Sequence, residues 1–429
     1  MKWNGKRMKE KVLLPSYMKT FSCIGNACED SCCVGWTVAL DKKIYKKYKN
    51  IRHEELTGKF NKGIKRIKGT TASDAKYAYF IMDQQKRCPM LNEENLCGIQ
   101  LNLGEEMLSP VCTTYPRILN TRGSEFELSA KLSCPEITRL ALLNPGGIEF
   151  DQTEYEVKSS WAINTVNDAQ SIEGDDIFWN LREFAIDIIQ NRNLSVSDRM
   201  IFLGIFMNKL QDVVEKKQYG SIQLLIDEYR SKLGNRDYVS SLENIADNIP
   251  MQIKTLLEII MLRRKLGINS QRYIDCFDNM IMGLDLDLSQ EIEIRDIEEK
   301  YLFNFKEYFV PFLNEHEYIF ENYLVNYIFE NMFPKINTEQ IFQQYIKMSV
   351  IYAMLKMHFV GISGQNKGVT TDLAIKLIQS FTRVIDHYPS YLKGLIEIVT
   401  INGFDTVAHI ASLLKDRTIT SERLDLMNN

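Results

Sequence analysis

The 429-residue sequence predicts a mainly α-helical protein: a small irregular, cysteine-rich, metal-binding N-terminal domain followed by a multi-helix C-terminal domain, with no doubly wound nucleotide-binding sheet. Three observations predict it. Eight of the nine cysteines fall between Cys23 and Cys134, helical periodicity dominates beyond about residue 176, and no glycine-rich loop follows a strand pattern. PGG at 145–147 and GISGQNKG at 361–368 lack the flanking elements that a nucleotide loop needs. The expected boundaries are 1–147 for the cysteine domain, 148–175 for a linker or surface excursion, and 176–429 for the helical domain.

The cysteines come first in chain order. Cys23, Cys28, Cys32 and Cys33 are packed into the string CIGNACEDSCC, and Cys88, Cys97, Cys112 and Cys134 follow. Disulfide frameworks are densest in short secreted domains, whereas this chain is long and opens MKWNGKRMKEKVLLPSYMKTF, without an apolar signal-peptide stretch. The expectation is a cytoplasmic protein with reduced thiols that ligate a metal. Thiolate is a soft ligand that favours iron–sulfur clusters, Zn²⁺ or Cu(I). One loop can present Cys23, Cys28 and Cys32 to a common centre. Adjacent Cys32 and Cys33 would point apart in an extended loop, which leaves two centres, or one ligand and one packed thiol. Cys88 and Cys134 are each followed by proline, like the cysteine that ends one bacterial ferredoxin run. The wide separations require tertiary closure, unlike a zinc ribbon with paired knuckles; zinc stays open as the alternative metal. The ninth cysteine, Cys276, sits in a helical string and reads as a core residue. The five histidines have no ligand spacing.

Charge is uneven. Residues 1–134 carry 23 Lys and Arg against 14 Asp and Glu, although the whole chain has a net charge of -4. The excess is concentrated between Lys42 and Lys68, where Ile44, Tyr45, Tyr48 and Ile51 recur at helical spacing and predict an amphipathic helix with a lysine-rich outer face. A solvated face, an acidic partner and peripheral contact with an anionic membrane all fit it. Nucleic acid is not expected, because no recognised module accompanies the patch.

Near residue 145 the pattern changes. LNPGGIEF predicts a turn and the polar stretch after it a linker. Helices are expected over 176–191, 197–216, 221–233, 240–265, 271–283, 290–332, 338–361, 370–387, 390–401 and 404–415, with Ser195 and Asp198 starting the second. The longest apolar segment, Met348 to Ile362, is broken by Lys356 and His358 and reads as a buried helix.

The strings FSCIGNACEDSCCVGW at 21–36, RCPMLNEENLCGIQ at 87–100, LSPVCTTYPR at 108–117 and LSCPE at 132–136 resemble the cysteine-cluster proteins described as zinc- or iron-chelating. Within that group, the CED-x-CC-x-GW form and the long helical extension are similar to the bacterial flagellin lysine-N-methylases. The resemblance implies methyl transfer from S-adenosylmethionine to lysine amines of flagellin in the cytoplasm. It also implies a [4Fe-4S] cluster, with Cys23, Cys28, Cys32, Cys33, Cys88, Cys97, Cys112 and Cys134 as candidate ligands. Two other functions fit the cysteines: an iron–sulfur redox or electron-transfer protein, and a zinc-stabilised interaction module. Around the cysteines, Glu29 and Asp30 are candidates to orient a lysine amine, Arg117 to bind a carboxylate, and Trp36 to anchor the loop by packing.

Overall fold

A computed structural model describes residues 8–123, 125–158, 161–166, 175–289, 293–336 and 340–416. It divides into two compact units, Met1–Ala141 with Ile148–Asn167, and Leu142–Gly147 with Asp168–Asn429. The protein is mainly helical.

The first unit departs from the expected irregularity. Its strands are β1 (Met8–Pro15), β2 (Ala39–Leu40), β3 (Ile64–Arg66), β4 (Ala78–Phe80), β5 (Arg117–Arg122), β6 (Glu125–Ala130), β7 (Phe150–Val157) and β8 (Ile163–Val166). Five form a mixed sheet in the order β7-β1-β6-β5-β8, and β2, β4 and β3 form a second. The stretch expected to be a linker thus supplies β7 and β8. β7 pairs antiparallel with β1 along its full length, from Met8 opposite Val157 to Pro15 opposite Phe150. Its charged residues Glu154 and Glu156 face outward, and β7 is an edge strand, where charge suits a free side. That polarity disguised the strand, whose partner lies about 140 residues away in sequence.

Among the described residues the unit also has the α-helices α1 (Lys42–Asn50), α2 (Leu56–Gly63), α3 (Gly98–Leu103), α4 (Pro110–Thr114) and α5 (Pro135–Leu142). The 42–68 segment is therefore two short helices and a strand, not one helix. Asp41 caps α1 by accepting from the Ile44 amide at 2.7 Å, and the helix stops at Ile51, whose backbone is extended. Its apolar stripe is consumed in the interior: Ile44, Tyr48, Leu56 and Phe60 are buried, and the Tyr48 and Phe60 rings stack at 4.4 Å.

The second unit contains α6 (Asp175–Ile189), α7 (Val196–Glu215), α8 (Ile222–Leu233), α9 (Arg236–Glu243), α10 (Ile249–Lys265), α11 (Gln271–Gly283), α12 (Ile294–Asn304), α13 (Val310–Glu330), α14 (Ile341–Asn366), α15 (Thr371–Ile385), α16 (Pro389–Ile401) and α17 (Val407–Leu414). Ser195 caps α7 as expected, accepting from the Asp198 amide. The expected helix over 240–265 is split because Pro250 starts a new helix behind the Asn248 cap. The one expected over 290–332 is interrupted by a π-turn at Phe305–Phe309, just before Pro311, which has no amide to donate; its first residues, 290–292, lie outside the described residues.

Among the described residues α14 is the one helix long and apolar enough to cross a membrane, and 94% of that window is buried inside the structure. It is the spine of the helical core. α11 crosses it where Gly283 meets Gly361 so closely that a Cβ on Gly283 would overlap the Gly361 carbonyl. Arg199, a buried charge of this core, is paired with carboxylates and carbonyls. Arg199 donates to Glu321 at 2.9 Å, to Glu317 at 2.9 Å and to the carbonyls of Ile189 and Leu194, while Arg192 binds the same Glu321 at 2.8 Å. His358 is also internal: it bonds to the Tyr273 hydroxyl at 2.9 Å, and burial holds it down at about 4, a neutral core histidine.

Candidate functional site

Three short segments of the first unit meet around one cavity, lined by Cys32, Cys33, Cys88, Cys97 and Cys112. Main-chain pairing sets their register. Val34 bridges Arg87, and the Cys88 amide donates to the Cys33 carbonyl at 2.9 Å, which holds Cys33 beside Cys88. In RCPMLNEENLCG, Asn92 accepts from the Leu96 amide at 2.8 Å and Asn95 adopts a positive φ of 59°, so the chain doubles back and Leu91 bridges Cys97. Cys97 becomes the residue that starts α3. Ser109 caps α4 and accepts from the Cys112 amide at 3.3 Å, placing the fifth thiol.

Cys32 and Cys33 do not diverge as an extended loop would make them. They occupy a turn, both line the cavity, and the Cys33 thiol is hydrogen-bonded to both Cys32 and Cys97. Side-chain alternation belongs to strands, and these two residues are not in one.

The rest of the lining is mostly apolar, including Trp36, Val38, Phe80, Met90, Ile99 and Leu108, with no Lys, Arg, Asp or Glu. Its free volume of about 60 Å³ is several times what one water requires. Burial in these surroundings pushes the Cys88 thiol up to about 11 and Cys112 to about 12, with neighbouring thiols adding like charge. In the Cys33–Cys97 pair the proton sits on Cys33, held well above the ordinary range by its hydrogen bonds to Cys32 and Cys97. Cys97 is the thiolate, lowered to about 6 by the bond from Cys33 and by the amides of Gln100 and Ile99 at the start of α3. Such a cavity would hold the other thiolates only with a cation inside it.

The remaining candidates spread outward. Cys28 and Cys134 are raised by burial, Cys134 to about 12, and both feel the charge of Cys32. Cys134 precedes α5, whose amides at Glu136 and Ile137 reach its sulfur. Cys23 is exposed and takes no part in these thiol interactions among the described residues. Cys276 lies in α11 of the helical unit, 2% exposed, with the Ser380 hydroxyl 3.9 Å from its sulfur. Among the described residues no three or more His, Cys, Asp or Glu side chains converge closely enough to hold one metal ion. The five thiols surround a space and do not meet at a point.

Arg117 and Glu29 take roles that differ from those weighed from sequence, whereas Trp36 packs as expected. The Arg117 guanidinium lies over the rings of Phe21 at 5.0 Å and Trp161 at 5.2 Å, a stacked cation and not a carboxylate fork. Glu29 is engaged by Arg139, with Nη2 to Oε2 at 3.2 Å and a shorter bond beside it. Trp36 packs edge-on against Tyr115 at 4.6 Å, with both at the cavity wall. Tyr48 of α1 also lines the cavity and donates to the Met107 carbonyl; only its place on the helical stripe marked it beforehand.

A mainly helical protein that carries a separate mixed-sheet unit with a thiol-lined cavity is the class these features define. Residues 182–413 match the model of the FliB lysine N-methylase C-terminal domain, and the chain belongs to the FliB lysine N-methylase family. A lysine-N-methylase of Salmonella typhimurium strain LT2 is 25% identical over 398 residues, covering 90% of this chain and 95% of that protein. One of Salmonella choleraesuis is 25% identical over 396 residues with the same coverage. The flagellar biosynthetic protein FliU of Salmonella muenchen is 34% identical over 146 residues, 34% of this chain and 85% of its own length. No solved structure matches.

Proposed function

We propose that this protein is a cytoplasmic lysine N-methyltransferase that acts on flagellin with S-adenosylmethionine as methyl donor and a [4Fe-4S] cluster in the thiol cavity. The observation that carries the reading is a thiol-lined cavity in a chain of the lysine-N-methylase family, aligned over 90% of its length with a named lysine-N-methylase. Cys33, Cys88, Cys97 and Cys112 would hold the cluster, with Cys32 at the edge beside Cys28 and Cys134. Their arrangement favours a cluster over zinc. A structural Zn²⁺ draws four donors to within about 2.3 Å of one point, whereas a cluster places its own core between the thiolates. A bound cluster supplies a redox-active, Lewis-acidic iron centre. The protein's part is to deliver soft donors, exclude water with Trp36, Phe80 and Leu108, and keep one thiolate ready at Cys97.

Protein purified without oxygen is expected to be brown. Incubated with S-adenosylmethionine and flagellin, it should add methyl mass increments to flagellin lysines. An iron-loaded protein that leaves every lysine unmodified would sink the methyltransferase and leave the redox reading.

A further inference from the structure

A strongly basic surface lies on the outer side of the cavity wall. Between residues 42 and 68 there are eleven Lys and Arg against two Glu. Lys43, Lys46, Lys47, Lys49, Lys62 and Lys65 are exposed, and Lys42, which bonds Asp74 at 3.0 Å, is the one cation of this segment in an ion pair among the described residues. Neighbours three or four apart on a helix are about 5–6 Å from each other, inside the screening length of about 8 Å at physiological salt. The lysines of α1 therefore act together. The surface is also tied to the site. Tyr48, on the opposite face of the same helix, lines the thiol cavity, and Lys47 reaches the Met107 sulfur at 3.9 Å, next to the 108–112 segment that carries Leu108, Val111 and Cys112 into the lining.

We propose that the lysine-rich face of α1 and α2 docks an acidic stretch of the polypeptide substrate, so that the enzyme selects acceptor lysines flanked by carboxylates. This rests on the reading of the protein as a lysine methyltransferase acting on a polypeptide. A bare amine is a cation and is repelled by this face; acidic neighbours reverse the sign of the encounter. The burial of Ile44, Tyr48, Leu56 and Phe60 removes the apolar anchor that membrane binding would use.

The test uses the full chain, purified without oxygen, and fluorescence anisotropy of a labelled 15-residue Glu-rich peptide that contains no lysine. Binding should be at least about tenfold tighter than to a Gln-for-Glu control and should weaken about tenfold from 50 to 300 mM NaCl. The triple variant Lys43→Glu, Lys46→Glu, Lys62→Glu changes exposed side chains and should lose that preference. With lysine-containing peptides, the variant should raise KM for the Glu-flanked acceptor and leave kcat unchanged. Equal binding of Glu and Gln peptides, or binding indifferent to the triple variant, overturns the proposal. So does preferential capture of phosphatidylserine vesicles or of an oligonucleotide with the peptide ignored. Because the first probe has no lysine, docking is measured apart from methylation: absence of methyl transfer with peptide binding intact removes the enzyme reading and not the docking surface.

Discussion

Entry of a thiophilic metal into the cavity should release a number of protons that the structure fixes in advance. Metal ligation needs thiolates, so each ligand that is protonated beforehand gives up one proton. Cys88 titrates at about 11 and Cys112 at about 12, and Cys33 is held higher than the ordinary thiol, so all three carry protons at pH 7.5. Cys97 is held below the ordinary thiol by the bond from Cys33 and by the amides of Gln100 and Ile99, so it is the ionised member of the set. A site built from these four therefore releases about three protons, not four. Removing a protonated ligand and removing the ionised one then differ. Cys88→Ser should lower the release to about two, whereas Cys97→Ser should weaken binding and leave it near three. The measurement is anaerobic calorimetric titration of the metal-free chain with Zn²⁺ as a thiophilic probe, in two buffers of different ionisation enthalpy. A release of four protons from the unsubstituted chain, or the same drop in both variants, would refute the assignment of the thiolate to Cys97.

Other outcomes follow from the same geometry. Folding holds the Cys88 and Cys112 thiols above their ordinary value of 9.0, so the stabilisation they contribute in the metal-free chain is complete below pH 9 and is lost as pH rises through about 11 to about 12; urea midpoints should fall across that window for metal-free protein and hold steady once metal is loaded. Glu321→Gln takes the buried carboxylate away from Arg199 and should cost about 3–5 kcal/mol in chemical denaturation followed by circular dichroism; an unchanged midpoint would mean the buried pair contributes nothing. Gly283→Ala drives a methyl into the Gly361 carbonyl and should cost about 1–3 kcal/mol, read as a lower melting temperature with metal content unaffected.

Much of the helical unit was legible because each helix carries its own period and its own stops. The cap at Ser195, the buried run through α14 and the stops expected after 265 and 401, where Gly267 and Gly403 have positive φ, all depend on neighbours a few residues away. The misread parts depend on distant partners. β7 looks like a linker until β1 pairs with it, and the 42–68 segment looks like one helix because its apolar spacing continues past Ile51, where the backbone becomes extended. Glu29 appears free to meet a substrate until Arg139, 110 residues later, reaches it.

The cysteines show the same division. Their clustering and flanking residues by themselves determined a thiol-rich segment, and family resemblance gave a candidate chemistry. Tertiary structure decided which thiols face one another: five around a cavity, Cys28 and Cys134 beside them, and Cys23 and Cys276 apart. The reason is physical. A thiol's ligand chemistry belongs to the side chain and is carried by sequence, but convergence depends on long-range pairings, such as Cys33 with Cys88 and Val34 with Arg87, that no local pattern encodes.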